Sequence, residues 1–279
     1  MELTAQDVTR FFPKRDKNAH KGSFGKLLLL CGSRGFTGAP YFAAMGALRV
    51  GAGLVYLGVP ESIYGIEAVK LNEPVIFPLP ESGGQLSAEA VPEILERLPR
   101  MDALLIGPGL GLNSGCFRVL QAVLTHAACP VVVDADGITL LSGHMDLLRG
   151  REAPTVLTPH AGEFARVFGP VGQDPMASAR QAARESGSIV LLKGHRTCVT
   201  DGTRDYRNPT GNPGMAVGGS GDVLAGILTG LLGQGFEPLE AAAVGAWLHG
   251  RAGDLCAEAL GEYGMLPTDL LGYLPRLLK

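Results

Sequence analysis

The chain alternates short apolar runs with helical stretches, and glycine or proline marks the breaks. Lys26–Cys31 reads KLLLLC, a continuous apolar run of the kind found in strands buried on both faces. Ala39–Val50 follows, with Pro40 placed to open a helix. Further strands are expected at Leu54–Val59, Val75–Leu79, Ala103–Ile106, Pro130–Val133, Thr155–Leu157 and Ile189–Leu192. Helices are expected between them at Ser87–Leu98, Ser114–Ala127, Ala161–Phe168 and Pro175–Ser186. Thr197–Thr200 and Asp205–Arg207 flank an Asp201-Gly202 turn and should form a small antiparallel excursion, after which helices dominate from Gly221 to Leu278. This alternation predicts an α/β fold whose largely parallel sheet is covered by helices on both faces. No Ser/Gly tract, linker or internal repeat interrupts it, so 1–279 is expected to be a single domain.

Composition narrows the function classes. The 279 residues are 46% hydrophobic and 18% charged, which excludes disorder, and the net charge is −3. The only basic stretch is a short lead-in, so nucleic acid is not expected as a partner. No secretory signal and no apolar run of membrane-spanning length is visible, and a cytoplasmic protein without membrane attachment is expected. The five cysteines are widely spaced, with no C-x-x-C pair, and suit buried apolar positions better than zinc or disulfides.

In open parallel sheets, ligands bind outside the carboxyl ends of the strands. Five segments that follow strands here are rich in Gly, Asp, Asn and His. GSRGFTGAP (Gly32–Pro40) leads into a helix, and its glycines permit close backbone approach to a ligand or simply make a turn. GPGLG (Gly107–Gly111) gives a floor without side chains, or a tight turn. The DADG segment brings Asp134 and Asp136 to a strand edge, where they could hold a metal's water or a sugar hydroxyl, or cap a helix. In TPHAGE, His160 and Glu163 stand three apart at a helix start and can share a face. NPTGNPGMAVGGSGD (Asn208–Asp222) is the richest: Gly218–Gly221 opens a long apolar helix whose free N–H groups and dipole favour an anion. Asp222, in its first turn, either complements the dipole or takes a proton from a hydroxyl attacking phosphorus.

Together, GSRGFTGAP, GPGLG, DADG, TPHAGE, LLKGHRT and NPTGNPGMAVGGSGDVLAG resemble the NAD(P)H-hydrate dehydratase family of ribokinase-like proteins, over roughly Gly22 to Asp254. Members are often fused behind an epimerase domain, and the absence of that half here suggests a stand-alone repair enzyme working with a separate epimerase. The resemblance implies a ribokinase-like fold and dehydration of the S form of NADHX or NADPHX, with ADP (or ATP) as co-substrate and Mg²⁺. It implies association, as a homotetramer. It places Ala39, Gly109, Gly111, His160 and Asp222 against the hydrated cofactor, with Asp222 as catalytic base. The nucleotide would meet Lys193, Gly194, His195, Arg196, Thr197, Gly219, Ser220 and Gly221. Glu163 falls where related kinases place a carboxylate near the metal, reaching it through water. Two other readings share the motifs: a kinase of the same fold acting on a hydroxymethylpyrimidine, a thiazole alcohol or a sugar, and a non-catalytic adenylate-binding module.

Overall fold

The computed structural model describes residues 1–278. In chain order its regular elements are α1 (Ala5–Arg10), β1 (Lys26–Leu30), α2 (Gly38–Arg49), β2 (Leu54–Pro60), α3 (Glu61–Lys70) and β3 (Val75–Leu79). A short hairpin, β4 (Glu81–Ser82) and β5 (Gln85–Leu86), precedes α4 (Val91–Arg97), β6 (Ala103–Ile106), α5 (Ser114–His126) and β7 (Val131–Val133). Then come α6 (Asp136–Leu140), α7 (Asp146–Arg149), β8 (Thr155–Leu157), α8 (Ala161–Phe168), α9 (Pro175–Ser186) and β9 (Ile189–Leu192). The chain closes with β10 (Cys198–Thr200), β11 (Asp205–Arg207), α10 (Ser220–Gly233), α11 (Pro238–Leu260) and α12 (Pro267–Tyr273).

One nine-stranded sheet, ordered β11-β10-β9-β8-β7-β6-β1-β2-β3, carries the fold. Eight of its strands run in one direction, and only β10, antiparallel to both β9 and β11, runs against them. Alternate residues of β1 supply two separate cores. Leu27 and Leu29 face α2, α10 and α11, while Leu28 and Leu30 face the side covered by α4, α5, α8 and α9. Both faces are therefore dry, and this is why the strand sequence is continuously apolar rather than alternating. From β1 the chain builds outward through β2 and β3, and then returns to the other side of β1 with β6. The strand order reverses at that point, so a crevice opens beyond the carboxyl ends of β1 and β6.

Helix α10 is buried from Val223 to Leu232 and lies close against α2. Small residues make that approach possible. A Cβ on Gly46 would lie 2.5 Å from the Val223 carbonyl, and one on Gly226 would run into the Ala43 carbonyl. The close fit fixes the height of α10's N-terminus above the sheet.

The expected Ser87–Leu98 helix divides into a 3₁₀ turn at Ala88–Ala90 and α4, where Pro92 has no N–H to continue the first turn. Helix α3 and the β4–β5 hairpin carry no sequence signal. Only Ile63 and Glu67 of α3 are buried, so it has no apolar stripe, and each hairpin strand has just two residues.

Candidate active site

All five segments gather at the carboxyl edge of the sheet. Ala39 sits in the first turn of α2, and its neighbouring loop is tied to the glycine floor: Ser33 Oγ donates to the Gly109 carbonyl at 2.7 Å, and Gly32 N to the Pro108 carbonyl at 2.8 Å. Gly109 has φ +58°, and a Cβ there would press within 2.9 Å of Phe36 and 3.1 Å of Ala39. Glycine is needed to bring the two loops this close. Gly111 N donates to Asp136 Oδ2 at 2.8 Å.

The two aspartates of DADG are directed inward by a strained link. Ala135 between them has φ +50° and ψ −119°, a conformation that costs a non-glycine residue about 1–3 kcal/mol. Neither carboxylate caps α6. Asp136 holds the glycine floor, whereas Asp134, 1% exposed, accepts from Thr158 Oγ1 at 2.7 Å and from Lys193 Nζ at 2.8 Å.

His160 is the N-cap of α8. Its Nδ1 accepts from Gly162 N at 2.9 Å and Glu163 N at 3.3 Å, while Glu163 Oε2 accepts from His160 N at 2.8 Å. This reciprocal cap leaves the imidazole Nε2 3.4 Å from Glu163 Oε1 and most of the ring exposed to the crevice. Glu163 Oε2 is also 3.7 Å from Lys193 Nζ. Burial works against the charged form of Lys193, but Asp134 and Glu163 more than offset it and raise the pKa. The ammonium is therefore permanent and faces α10: a Cβ on Gly221 would lie 3.5 Å from it.

At α10, Gly219 adopts φ +98°, turning the chain under the Phe42 ring into the helix. The amides of Gly221 and Asp222 in that first turn have no acceptor among the described residues. Asp222 is half-buried beside them. Burial, then the charge of Asp134, raises its carboxyl to about 7, with Lys193 pulling it back. His249, from α11, brings Nε2 within 3.2 Å of Ser220 Oγ. Burial lowers its imidazole to about 4, so it stays neutral at physiological pH.

The NPTGN segment is pinned on α11. Asn208 Nδ2 donates to the Ala246 carbonyl at 3.0 Å, Thr210 Oγ1 to the Trp247 carbonyl at 3.0 Å, and Gly211 N to Asp254 at 3.1 Å.

The structure thus brings Ala39, Gly109, Gly111, His160, Glu163, Lys193, Gly219, Ser220, Gly221 and Asp222 to one crevice. Gly194 and His195 are exposed at the turn between β9 and β10, which Thr197 Oγ1 closes by donating to the Gly194 carbonyl at 3.1 Å. Arg196, at φ +59°, pairs with Glu2, which leaves Lys193 as the cation facing α10. Asp134 as the lysine's partner, Thr158 and His249 were beyond sequence reasoning. Nothing in the spacing of DADG or of Trp247-Leu248-His249-Gly250 reveals which group each side chain meets.

No group of three or more His, Cys, Asp or Glu side chains converges as a metal cage among the described residues. Glu163 and Asp134 already hold a backbone amide, a hydroxyl and an ammonium. This donor set fits Mg²⁺ carried in on nucleotide phosphates and met through water, since that ion is commonly held by few carboxylates and by substrate oxygens.

A glycine-floored crevice at the reversal of an open parallel sheet, with a carboxylate and a lysine at a helix N-terminus, is the architecture of the ribokinase-like class. The sequence pattern of the NAD(P)H-hydrate dehydratase family matches residues 27–276, and the chain belongs to that family. It is 45% identical over 99% of its length to the bifunctional NAD(P)H-hydrate repair enzyme of Moorella thermoacetica, covering 53% of that protein. It therefore spans about half the length of such curated relatives. It is also 35% identical, over 98% of the chain and 95% of the relative, to the ADP-dependent (S)-NAD(P)H-hydrate dehydratase of Cenarchaeum symbiosum. Among solved structures, the Bacillus subtilis ADP/ATP-dependent NAD(P)H-hydrate dehydratase co-crystallised with ATP/Mg²⁺ superposes with a TM-score of 0.86 at 30% identity, covering 99% of this chain and 96% of its own. The ribokinase-like fold expected from the sequence is the one observed. Among the described residues, no helix is long and apolar enough to cross a membrane.

Proposed function

We propose that the chain dehydrates the S form of NADHX or NADPHX to NADH or NADPH while ADP is converted to AMP and phosphate. The observation that carries this reading is the pairing of Asp222, its carboxyl near 7, with the unpaired amides of α10 and the Lys193 ammonium at one end of a side-chain-free floor. Hydroxide is a poor leaving group at neutral pH, so the ring hydroxyl must be activated before it departs.

In this reading the hydroxyl oxygen attacks the terminal phosphorus of ADP, Asp222 takes its proton, and the bond from phosphorus to the AMP oxygen breaks. Lys193 and the amides of Gly221 and Asp222 stabilise the charge on the transferring phosphoryl. The ring nitrogen's lone pair then expels phosphate with the carbon–oxygen bond, and a proton lost from the adjacent ring carbon restores the dihydronicotinamide. Mg²⁺ arriving with the nucleotide would neutralise phosphate charge, with Glu163 reaching it through water. Ala39, Gly109, Gly111 and His160 would line the hydrated ring, while Gly194, His195, Arg196, Thr197, Gly219 and Ser220 would border the nucleotide.

The name of the Cenarchaeum symbiosum relative supports ADP, and the ATP/Mg²⁺ co-crystal of the Bacillus subtilis relative supports the metal and leaves ATP as an alternative donor. Residues 1–279 are read as one domain in a cytoplasmic protein. Coverage of only half of the bifunctional relatives supports pairing with a second activity, the epimerase implied by the resemblance. The exposed apolar side chains Tyr64, Ile66 and Val69 on α3 support association of copies, as a homotetramer. The test is recovery of NADH or NADPH absorbance from the purified hydrate with Mg²⁺ and either nucleotide. Recovery that needs a nucleotide and is faster with ADP is expected; accumulation of a stable phosphorylated acceptor would instead indicate a kinase.

A further inference from the structure

Helix α3 and the β4–β5 hairpin contribute no residue to the chemistry, yet they brace the loops that form the floor. Ile63 of α3 lies 3.1 Å from where a Cβ on Gly32 would stand. Ser62 donates through N and Oγ to Glu81 Oε2 of the hairpin at 2.9 and 2.6 Å. The hairpin in turn accepts Arg34 N on the Gly84 carbonyl at 2.8 Å and Asn113 N on Gln85 Oε1 at 3.2 Å. Both glycine loops are thus tied to one brace.

The brace contains a wholly buried carboxylate. Glu67 is 0% exposed, and Lys70 Nζ lies 3.1 and 3.3 Å from its two oxygens. The same ammonium donates to the Thr37 carbonyl and stands 5.5 Å from the centre of the Tyr41 ring. Thr37 is the N-cap of α2 and its side chain makes no capping bond, so the Lys70 contact with its carbonyl is the side-chain hydrogen bond that ties down this loop end. Burial pushes the Glu67 carboxyl up and Lys70 draws it back. Burying a carboxylate costs several kcal/mol, and an apolar pair of the same volume would often serve stability as well or better. Stability is therefore a poor reason for this pair, whereas fixing one carbonyl beside Ala39 is a sufficient one.

We propose that Lys70, held by Glu67, is a positioning residue that sets the loop from Ser33 to Gly38, and with it the hydrated-cofactor side of the crevice. The proposal rests on the dehydratase reading for its substrate and on geometry alone for the latch. Lys70→Met, Lys70→Arg and the double variant Glu67→Leu/Lys70→Met, which removes both charges at similar volume, are compared in the full chain with Mg²⁺ and ADP. In Lys70→Met and the double variant, KM for NADPHX is expected to rise roughly 5- to 20-fold, the share of a charge-assisted hydrogen bond acting through a loop. KM for ADP should stay within about two-fold, and Lys70→Arg, which keeps the charge and an N–H donor, should restore most of the loss. Amide hydrogen exchange should quicken at residues 34–39 and hold elsewhere, with the double variant no less stable than wild type. An unchanged KM for NADPHX, an equal rise for both substrates, or exchange that quickens throughout the sheet would overturn the proposal. If wild type fails to turn NADPHX over at all, the functional reading falls. The exchange experiment then decides the latch, which is overturned if residues 34–39 keep their protection in Lys70→Met.

Discussion

The Lys193 ammonium stands 2.8 Å from Oδ1 of Asp134, a carboxylate shut off from solvent at the end of β7. This contact reaches across the end of β8 from β7 to β9 and aims the cation at α10, where the amides of Gly221 and Asp222 are unpaired. Replacing Asp134 by Asn removes the charge that holds Lys193 in place. KM for ADP is then expected to rise about 10-fold or more, as for loss of a buried hydrogen bond to a charged group, while KM for the hydrate changes little. Steady-state kinetics with each substrate varied in turn checks this.

Asp222 should make the rate depend on pH. Its carboxyl is raised from the ordinary 3.8 to about 7 by burial and by Asp134, so kcat/KM should climb with pH along an acid limb centred near 7. Asp222→Asn should lower kcat by about 10²–10⁴ and abolish that limb, and Asp134→Asn should move it to lower pH. A pH–rate profile of the three proteins is the measurement.

The same shift has a sign for stability. The folded chain keeps a proton on Asp222 that the unfolded chain gives up between 3.8 and about 7. The stabilisation is present below the unfolded value and lost as pH rises through the folded one. Urea midpoints measured at about pH 5 and about pH 8 should show wild type losing stability relative to Asp222→Asn over that interval.

His160 combines a cap with a crevice surface. His160→Ala should cost about 0.5–2 kcal/mol through the lost cap and also raise KM for the hydrate. His160→Asn keeps an oxygen acceptor for the Gly162 and Glu163 amides, so it should regain stability without regaining affinity. Denaturation and kinetics on both variants separate the two roles.

The central strands, most helices and the sheet's open edge were legible because β1, β6, β7, β8 and β9 are apolar and buried on both sides and the loops after them are marked by glycine. Leu27 to Leu30 alternate between two cores, and that alone identifies an interior strand of a covered sheet. The crevice followed from where those loops must lie. What the chain did not disclose is pairing at long range: Asp134 with Lys193 is 59 residues apart, and Ser220 with His249 spans two helices. Helix α3 stayed hidden because one of its two buried residues is a glutamate, which no apolar periodicity reports.

Packing of α2 on α10 sets where the unpaired amides of Gly221 and Asp222 lie. A Cβ on Gly226 has no room beside the Ala43 carbonyl, so Gly226→Ala should force the helices apart. Overpacking of this kind costs typically about 1–3 kcal/mol, and displacement of α10 should raise KM for ADP in the folded fraction. Urea titration with parallel kinetics reads both effects.

In the proposed reaction the ring hydroxyl leaves as phosphate. NADPHX prepared in oxygen-18 water carries the label in that hydroxyl, and mass spectrometry of the products after complete turnover with ADP and Mg²⁺ follows where it goes. One labelled oxygen is expected in each phosphate released, together with one AMP and one NADPH. Label recovered in water, with unlabelled phosphate, would mean that the hydroxyl departs without phosphorylation and would contradict the role given to Asp222, Lys193 and the amides of α10.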